Sequence, residues 1–280
     1  MLDNLSGQDH YLADLPETLA KGAAAAFFVR VRAESGSQLV NFVWRHLATF
    51  PKGVAEWCWD VVRMNTVENT AGLLSARADK EATLLAEPLP VLPHFSAEAI
   101  EILVAYNSNN AINLARMGVL LYVLDTPVLW QGMAQPPQAL LLPDSLGASS
   151  PLSPLPSFST LGSKDAEAIK ALSGAGPGSL SGVLPSLWSH LTVQPGLIQA
   201  ISSPLVGILG KESFTTAHSV LCAIATPRQS PVAPALPPDL DVDLVRASVR
   251  CFAERIAELT LAGRVLKIWI ASSQQRRVDT

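Results

Sequence analysis

Apolar residues recur at helical spacing along most of this chain, and strict strand-like alternation is scarce. Between Pro16 and Ala33, the residues Leu19, Ala23, Ala26, Phe27 and Val31 form one wide stripe, which predicts a first helix. Gln38 to Thr49 predicts a second, stopped before Pro51. Residues after Pro51 can start a third, because proline suits a first helical turn. Asn65 to Ala86 predicts a longer helix with its charges on one side. Ser96 then offers an N-cap, followed by acids where the helix dipole favours them. The polar run Asn107-Ser108-Asn109-Asn110 interrupts this pattern, and apolar helix resumes through Leu124. Asparagine competes for backbone hydrogen bonds, so the run predicts a turn, a kink or a site.

From Pro127 to Ser163 the pattern dissolves into proline, serine and glycine, which predicts a surface linker. Helical spacing returns at Ser163-Lys164-Asp165-Ala166-Glu167 and ends in a long helix from about Asp241 to Ile270. The expected division is a helical unit at 1–126, a linker at 127–163 and a second helical unit at 164–280.

The two units share a signature. Trp44-Arg45-His46-Leu47 with Pro51, and Trp188-Ser189-His190-Leu191 with Pro195, both read W-x-H-L-x-x-x-P. Only 6 tryptophans occur in 280 residues, so the coincidence points to an internal duplication. The flanks agree: Leu39 with Val183, Val43 with Leu187 and Val54 with Ile198 are apolar at matching offsets. The expected fold is all-α, two homologous helical repeats forming a pseudo-dimer with a cleft between them.

Composition narrows the function classes. Hydrophobic residues make up 49% and charged residues 16%, so the chain can bury a large core. A net charge of −4 without a basic stripe argues against nucleic acid as a partner. No apolar run approaches the roughly 20 residues of a membrane span. Met1 to Asp14 carries three acids and no basic leader, which argues against a cleaved signal peptide. Cys58, Cys222 and Cys251 fit neither a disulfide framework nor a zinc pattern, so a reducing, cytoplasmic setting is expected. No phosphate-binding loop, nucleophile elbow or H-E-x-x-H is present, and no cofactor or metal is expected. The expected partner is an apolar small-molecule substrate; a homodimer is left open.

Val40-Asn41-Phe42 with Arg45, the run Leu47-Ala48-Thr49-Phe50-Pro51, and Ala105-Tyr106-Asn107-Ser108-Asn109-Asn110 resemble the group I 2-haloacid dehalogenases, which act on both D- and L-substrates. Leu191 with Pro195 and Gln199 resembles that family's second repeat. The resemblance implies an all-α, two-repeat fold in which water, deprotonated by an aspartate, displaces halide directly from C2. It also implies that Asn110 is the water-holding asparagine, Phe42 a pocket phenylalanine and Ser186 the serine before the catalytic aspartate. The aspartate itself falls on Leu187, a pocket tryptophan on Leu39 and a pocket tyrosine on Phe252. An alternative register puts the serine at Ser179 and the aspartate at Leu180. Neither supplies an acid, because no Asp or Glu lies between Lys170 and Lys211.

Leucine cannot accept a proton, and general-base help is worth roughly 10²–10⁴-fold. Three readings follow. The first is a non-hydrolytic isomerase or cyclase whose apolar pocket holds a reactive conformer. Asn110, Ser186, His46 and His190 are its candidate polarising groups. Leu39, Phe42, Asn107, Leu187, Trp188 and Phe252 are its candidate walls. The second is a hydrolase with a relocated base at Asp165, Glu167 or Glu254. The third is a non-catalytic binding protein. His46 and His190 could meet across a pseudo-two-fold axis, or simply bond neighbouring backbone.

Overall fold

The computed structural model describes residues 12–131 and 152–278, apart from 38–39, 52, 88, 93, 154, 157 and 182. Among the described residues the fold is all-α, with ten α-helices and no β-strand. They are α1 Gly22–Ser35, α2 Phe42–Leu47, α3 Val54–Arg63, α4 Glu68–Ala86 and α5 Ala97–Leu124. Two 3-10 turns follow, Pro127–Gln131 and Phe158–Thr160, most of the expected linker between them lying outside the described residues; then come α6 Ser163–Ser173, α7 Ser186–His190, α8 Leu197–Leu209, α9 Glu212–Ala225 and α10 Val242–Val278. None of these helices is long and apolar enough to cross a membrane.

The first helix starts later than the periodicity suggests. Glu17–Leu19 is a short 3-10 turn, and Ala20 and Lys21 are extended before α1 begins at Gly22. Between them the chain must turn, and Gly22 does so at φ +56°, where a side chain is disfavoured. The expected interruption at Asn107–Asn110 does not exist: α5 runs unbroken from Ala97 to Leu124. The polar side chains find partners without opening the helix. Ser108 and Asn109 donate back to the Val104 and Ala105 carbonyls at 3.0 Å, one turn earlier. Asn107 instead reaches across to α10, donating to the Gly263 carbonyl at 3.1 Å.

The long central pair α5 and α10 forms the spine, with α4 and α9 packed beside it. Backbones approach closely where glycine allows it. A Cβ built on Gly263 would lie 2.2 Å from Asn107 Oδ1, and one on Gly118 would lie 1.9 Å from the Ala225 carbonyl oxygen. Gly118 thus meets the backbone of α9 at a point that excludes any side chain, whereas Gly263 meets the end of an asparagine side chain. Further cross-ties come from the ends of α10. Asp241 caps its first turn through Leu244 N–H at 3.0 Å. Near its C-terminus, Ser273 accepts the Leu92 N–H at 3.0 Å.

The segments carrying the repeated signature share some local features, but only the tryptophans fall at the motif's own offset; the threonine and glycine pairs are one residue out of register. Trp44 and Trp188 are both fully buried, with indole N–H groups that meet no partner. The hydroxyls of Thr49 and Thr192 each donate at 2.7 Å to a carbonyl three residues back, those of His46 and Ser189. Gly53 and Gly196 each precede a helix with positive φ, at +95° and +76°.

Gly118→Ala should destabilise the protein by roughly 1–3 kcal/mol, because the backbone it meets cannot move aside without repacking. Gly207, exposed within α8 with nothing near its missing Cβ, should show the reverse on substitution by Ala, a gain of about 0.5–1 kcal/mol. Urea unfolding of the two variants against the parent checks both signs.

Candidate functional site

Four helices converge on one cleft. Phe42 opens α2, Tyr106, Asn110 and Asn113 line one face of α5, Ser186 opens α7, and Phe252 and Arg255 project from α10. The face on α5 is a consequence of spacing, since residues three and four apart stack on one side of a helix. Between these side chains lie two adjoining cavities of about 50 Å³ each. Asn41, Phe42, Tyr106 and Ser186 border both. A water needs about 10–15 Å³ on this measure, so each holds a few waters or a ligand fragment of similar size.

The wall is more polar than the sequence suggests. Phe42 and Phe252 pack edge to face at 5.2 Å and supply its apolar side. Opposite stand Tyr106, Ser186, Asn110 and Asn113. Asn110 is buried, and its Nδ2 has no hydrogen-bond partner. An orphaned buried amide donor costs about 1–3 kcal/mol, so it marks a place where a ligand atom would be welcome. Burial pushes the Tyr106 phenol far above its ordinary range, which leaves it a neutral donor at any physiological pH.

His190 stands behind Tyr106. Its Nε2 lies 2.8 Å from the Ser153 carbonyl, which can only accept, so Nε2 carries the proton. Its Nδ1 is therefore free to accept from the Tyr106 hydroxyl at 3.4 Å. His46 is arranged the other way round. Nδ1 donates to the Ala13 carbonyl at 2.8 Å, and Nε2 accepts from Ser248 Oγ at 3.2 Å. Each ring is thus occupied by its own partners, and both tie an upstream segment to the helices. Burial lowers both histidines below the ordinary value, against weaker raising contributions from those carbonyls.

Arg255 reaches the cavity wall but is already engaged. Its Nη1 donates to Glu258 Oε1 at 2.5 Å and its Nη2 to the Ser173 carbonyl at 2.9 Å. Glu258 Oε2 in turn accepts the Gly178 N–H at 2.9 Å. Burial raises the Glu258 carboxyl, and Arg255 opposes that shift. The pair fastens the turn after α6 to α10, and removing either partner would strand a buried charge.

Of the residues singled out from sequence, Phe42, Asn110, Ser186 and Phe252 meet at the cavities. His46 and His190 stand one layer behind, against Phe252 and Tyr106. Leu187 and Trp188 are fully buried in the core and Asn107 lies at the α5–α10 crossing; none of the three borders a cavity. Leu39 lies outside the described residues. Sequence reasoning missed Tyr106, Asn113 and Arg255 as wall residues. Tyr106 had a signal, because it sits one turn before Asn110 on the same helix face.

Among the described residues, no carboxylate borders either cavity. Asp165 accepts from Gln199 at 2.9 Å on the surface, Glu167 is exposed on α6, and Glu254 faces a different cavity. Among the described residues, no group of three or more His, Cys, Asp or Glu side chains could hold a metal ion. No family model matches the chain, and no curated protein matches it either.

The histidines predict a pH dependence of stability. Unfolded histidine takes a proton near pH 6.5, whereas both buried rings resist it. Above that value neither state is protonated and the full stability is present. As pH falls below it, the unfolded chain binds protons first and stability drops towards the folded values. Urea midpoints from about pH 7.5 down to about pH 5 should decline, and His46→Gln combined with His190→Gln should flatten the decline.

Proposed function

We propose that this chain is a cofactor-independent enzyme that rearranges a small carbonyl compound without hydrolysis, in the cleft between α2, α5, α7 and α10. The observation that carries the reading is the buried, unpartnered Asn110 amide, set in a cavity wall with Phe42, Ser186, Phe252 and Tyr106. A substrate oxygen lodged there would accept from Asn110 Nδ2, and the rotatable Tyr106 or Ser186 hydroxyl would complete the pair. Such donors, fixed before the reaction starts, favour a transition state in which charge builds on that oxygen. The aromatic wall would hold the carbon skeleton in a reactive conformer. An isomerisation or ring closure needs no more than this. Water attack at a saturated carbon needs a base, and the cavities offer no carboxylate. Their size favours a substrate of a few heavy atoms over a larger apolar one.

We further propose that α1–α5 and α6–α10 are two similar units, corresponding to 1–126 and 164–280, that form a pseudo-dimer with the cleft between them. The shared W-x-H-L-x-x-x-P and the paired buried indoles support this reading. The fold would then descend from that of the group I 2-haloacid dehalogenases, with Leu187 where their aspartate stands.

The test is Asn110→Leu, assayed by proton NMR against small unsaturated aldehydes, ketones and 2-oxo acids. Turnover by the parent should fall by roughly 10²–10³-fold if one polarising donor is lost. The variant should also unfold at higher urea, because an unsatisfied donor worth about 1–3 kcal/mol has gone. A variant that is less stable than the parent would make Asn110 a structural residue and overturn the reading. Halide release from 2-chloropropionate by the parent would overturn it in favour of hydrolysis.

A further inference from the structure

A much roomier cavity lies elsewhere. It lies between α5, α9 and α10 and encloses about 730 Å³, within the range of small-molecule sites. The direct backbone contact of Gly118 with Ala225 lies in its lining, at a point where no side chain can intrude. Leu114, Leu121 and Ala253 give it an apolar interior. We infer that this cavity is a second binding site, independent of the cleft described above, for an organic amine with an apolar body.

The charge pattern selects the ligand. Two arginines are drawn to the rim by Asp125, which takes Arg246 Nε at 2.9 Å and Arg250 Nη2 at 3.5 Å. Arg246 also pairs with Asp243, so two acids offset the two arginines. Glu254, one helical turn beyond Arg250, faces the cavity half-buried and has no ion-pair partner among the described residues. Its negative charge is felt inside. The Cys222 thiol on the same wall is pushed up to about 11, first by burial and then by Glu254. The His218 Nε2 is spent on the Glu254 backbone carbonyl at 2.9 Å and not on its carboxylate. A partly desolvated carboxylate beside apolar walls attracts a cation that brings its own hydrocarbon. An ammonium on Glu254, with an alkyl or aryl body against Leu114, Leu121 and Ala253, satisfies both.

Cys222 reports occupancy, because it lines the cavity, whereas Cys251 lies outside it and serves as the internal control. Full-length protein is alkylated with N-ethylmaleimide in the presence of hexylamine, hexanol or hexanoate, and each cysteine is followed by peptide mass spectrometry. Hexylamine at about ten times its Kd should slow labelling of Cys222 roughly tenfold by mass action and leave Cys251 unchanged. Glu254→Gln, which keeps the shape and removes the charge, should abolish that protection while retaining the parent's circular dichroism. Equal protection by hexanol or hexanoate would overturn the charge assignment. Absence of protection by hexylamine up to its solubility limit would overturn the site. Neither outcome bears on Asn110 or its cleft.

Discussion

The separation of α5 and α10 is set where Gly263 meets Asn107. Two long helices carrying ordinary side chains would stand farther apart, at the spacing that interlocking residues impose. Here one helix presents bare backbone and the other an asparagine that bonds to it. That contact draws the spine together at one level. Tyr106 and Asn110 then fall one turn or less from the contact on α5, and Phe252 and Arg255 lie two to three turns away on α10.

Within the cleft, polar groups sort into spent and unspent. Arg255, Glu258, His46 and His190 have their donors and acceptors committed to neighbouring backbone or to one another. They hold turns and upstream segments in place, and the shifted titration of His46, His190 and Glu258 reflects burial more than chemistry. Asn110 is different because its donor has nothing to do in the folded chain. A protein under selection for stability alone would replace it with leucine. Its presence beside a hydroxyl pair and two aromatic rings is therefore the strongest chemical statement in the fold.

Much of the helical architecture was legible in the sequence because period and punctuation agreed. Pro51, Ser96 and Asp241 mark helix starts that the structure places within three residues, and the proline-rich stretch separates α5 from α6. The asparagine run was misread for a physical reason. Propensity sees a competitor for backbone bonds, but cannot see the carbonyls one turn back or the bare glycine on another helix that absorb the competition. At the site, Phe42, Asn110, Ser186 and Phe252 came from the family resemblance, and meet in three dimensions. Tyr106 and Arg255 escaped because a tyrosine or arginine on a mostly apolar helix carries no sign of which neighbour it faces. The large cavity behind α10 escaped entirely, since it is built from residues far apart in the chain with no shared motif.

With 37 residues, α10 is about 55 Å long, enough to pass through the whole molecule. Phe252, Arg255 and Ile256 face the cleft from it, while Arg250, Ala253 and Glu254 face the larger cavity. The helix is thus a party wall, one residue thick, between two rooms. A small roll about its axis advances one set of side chains and withdraws the other. A close-packed helix resists such a roll, so the two rooms share one wall and each keeps its own shape.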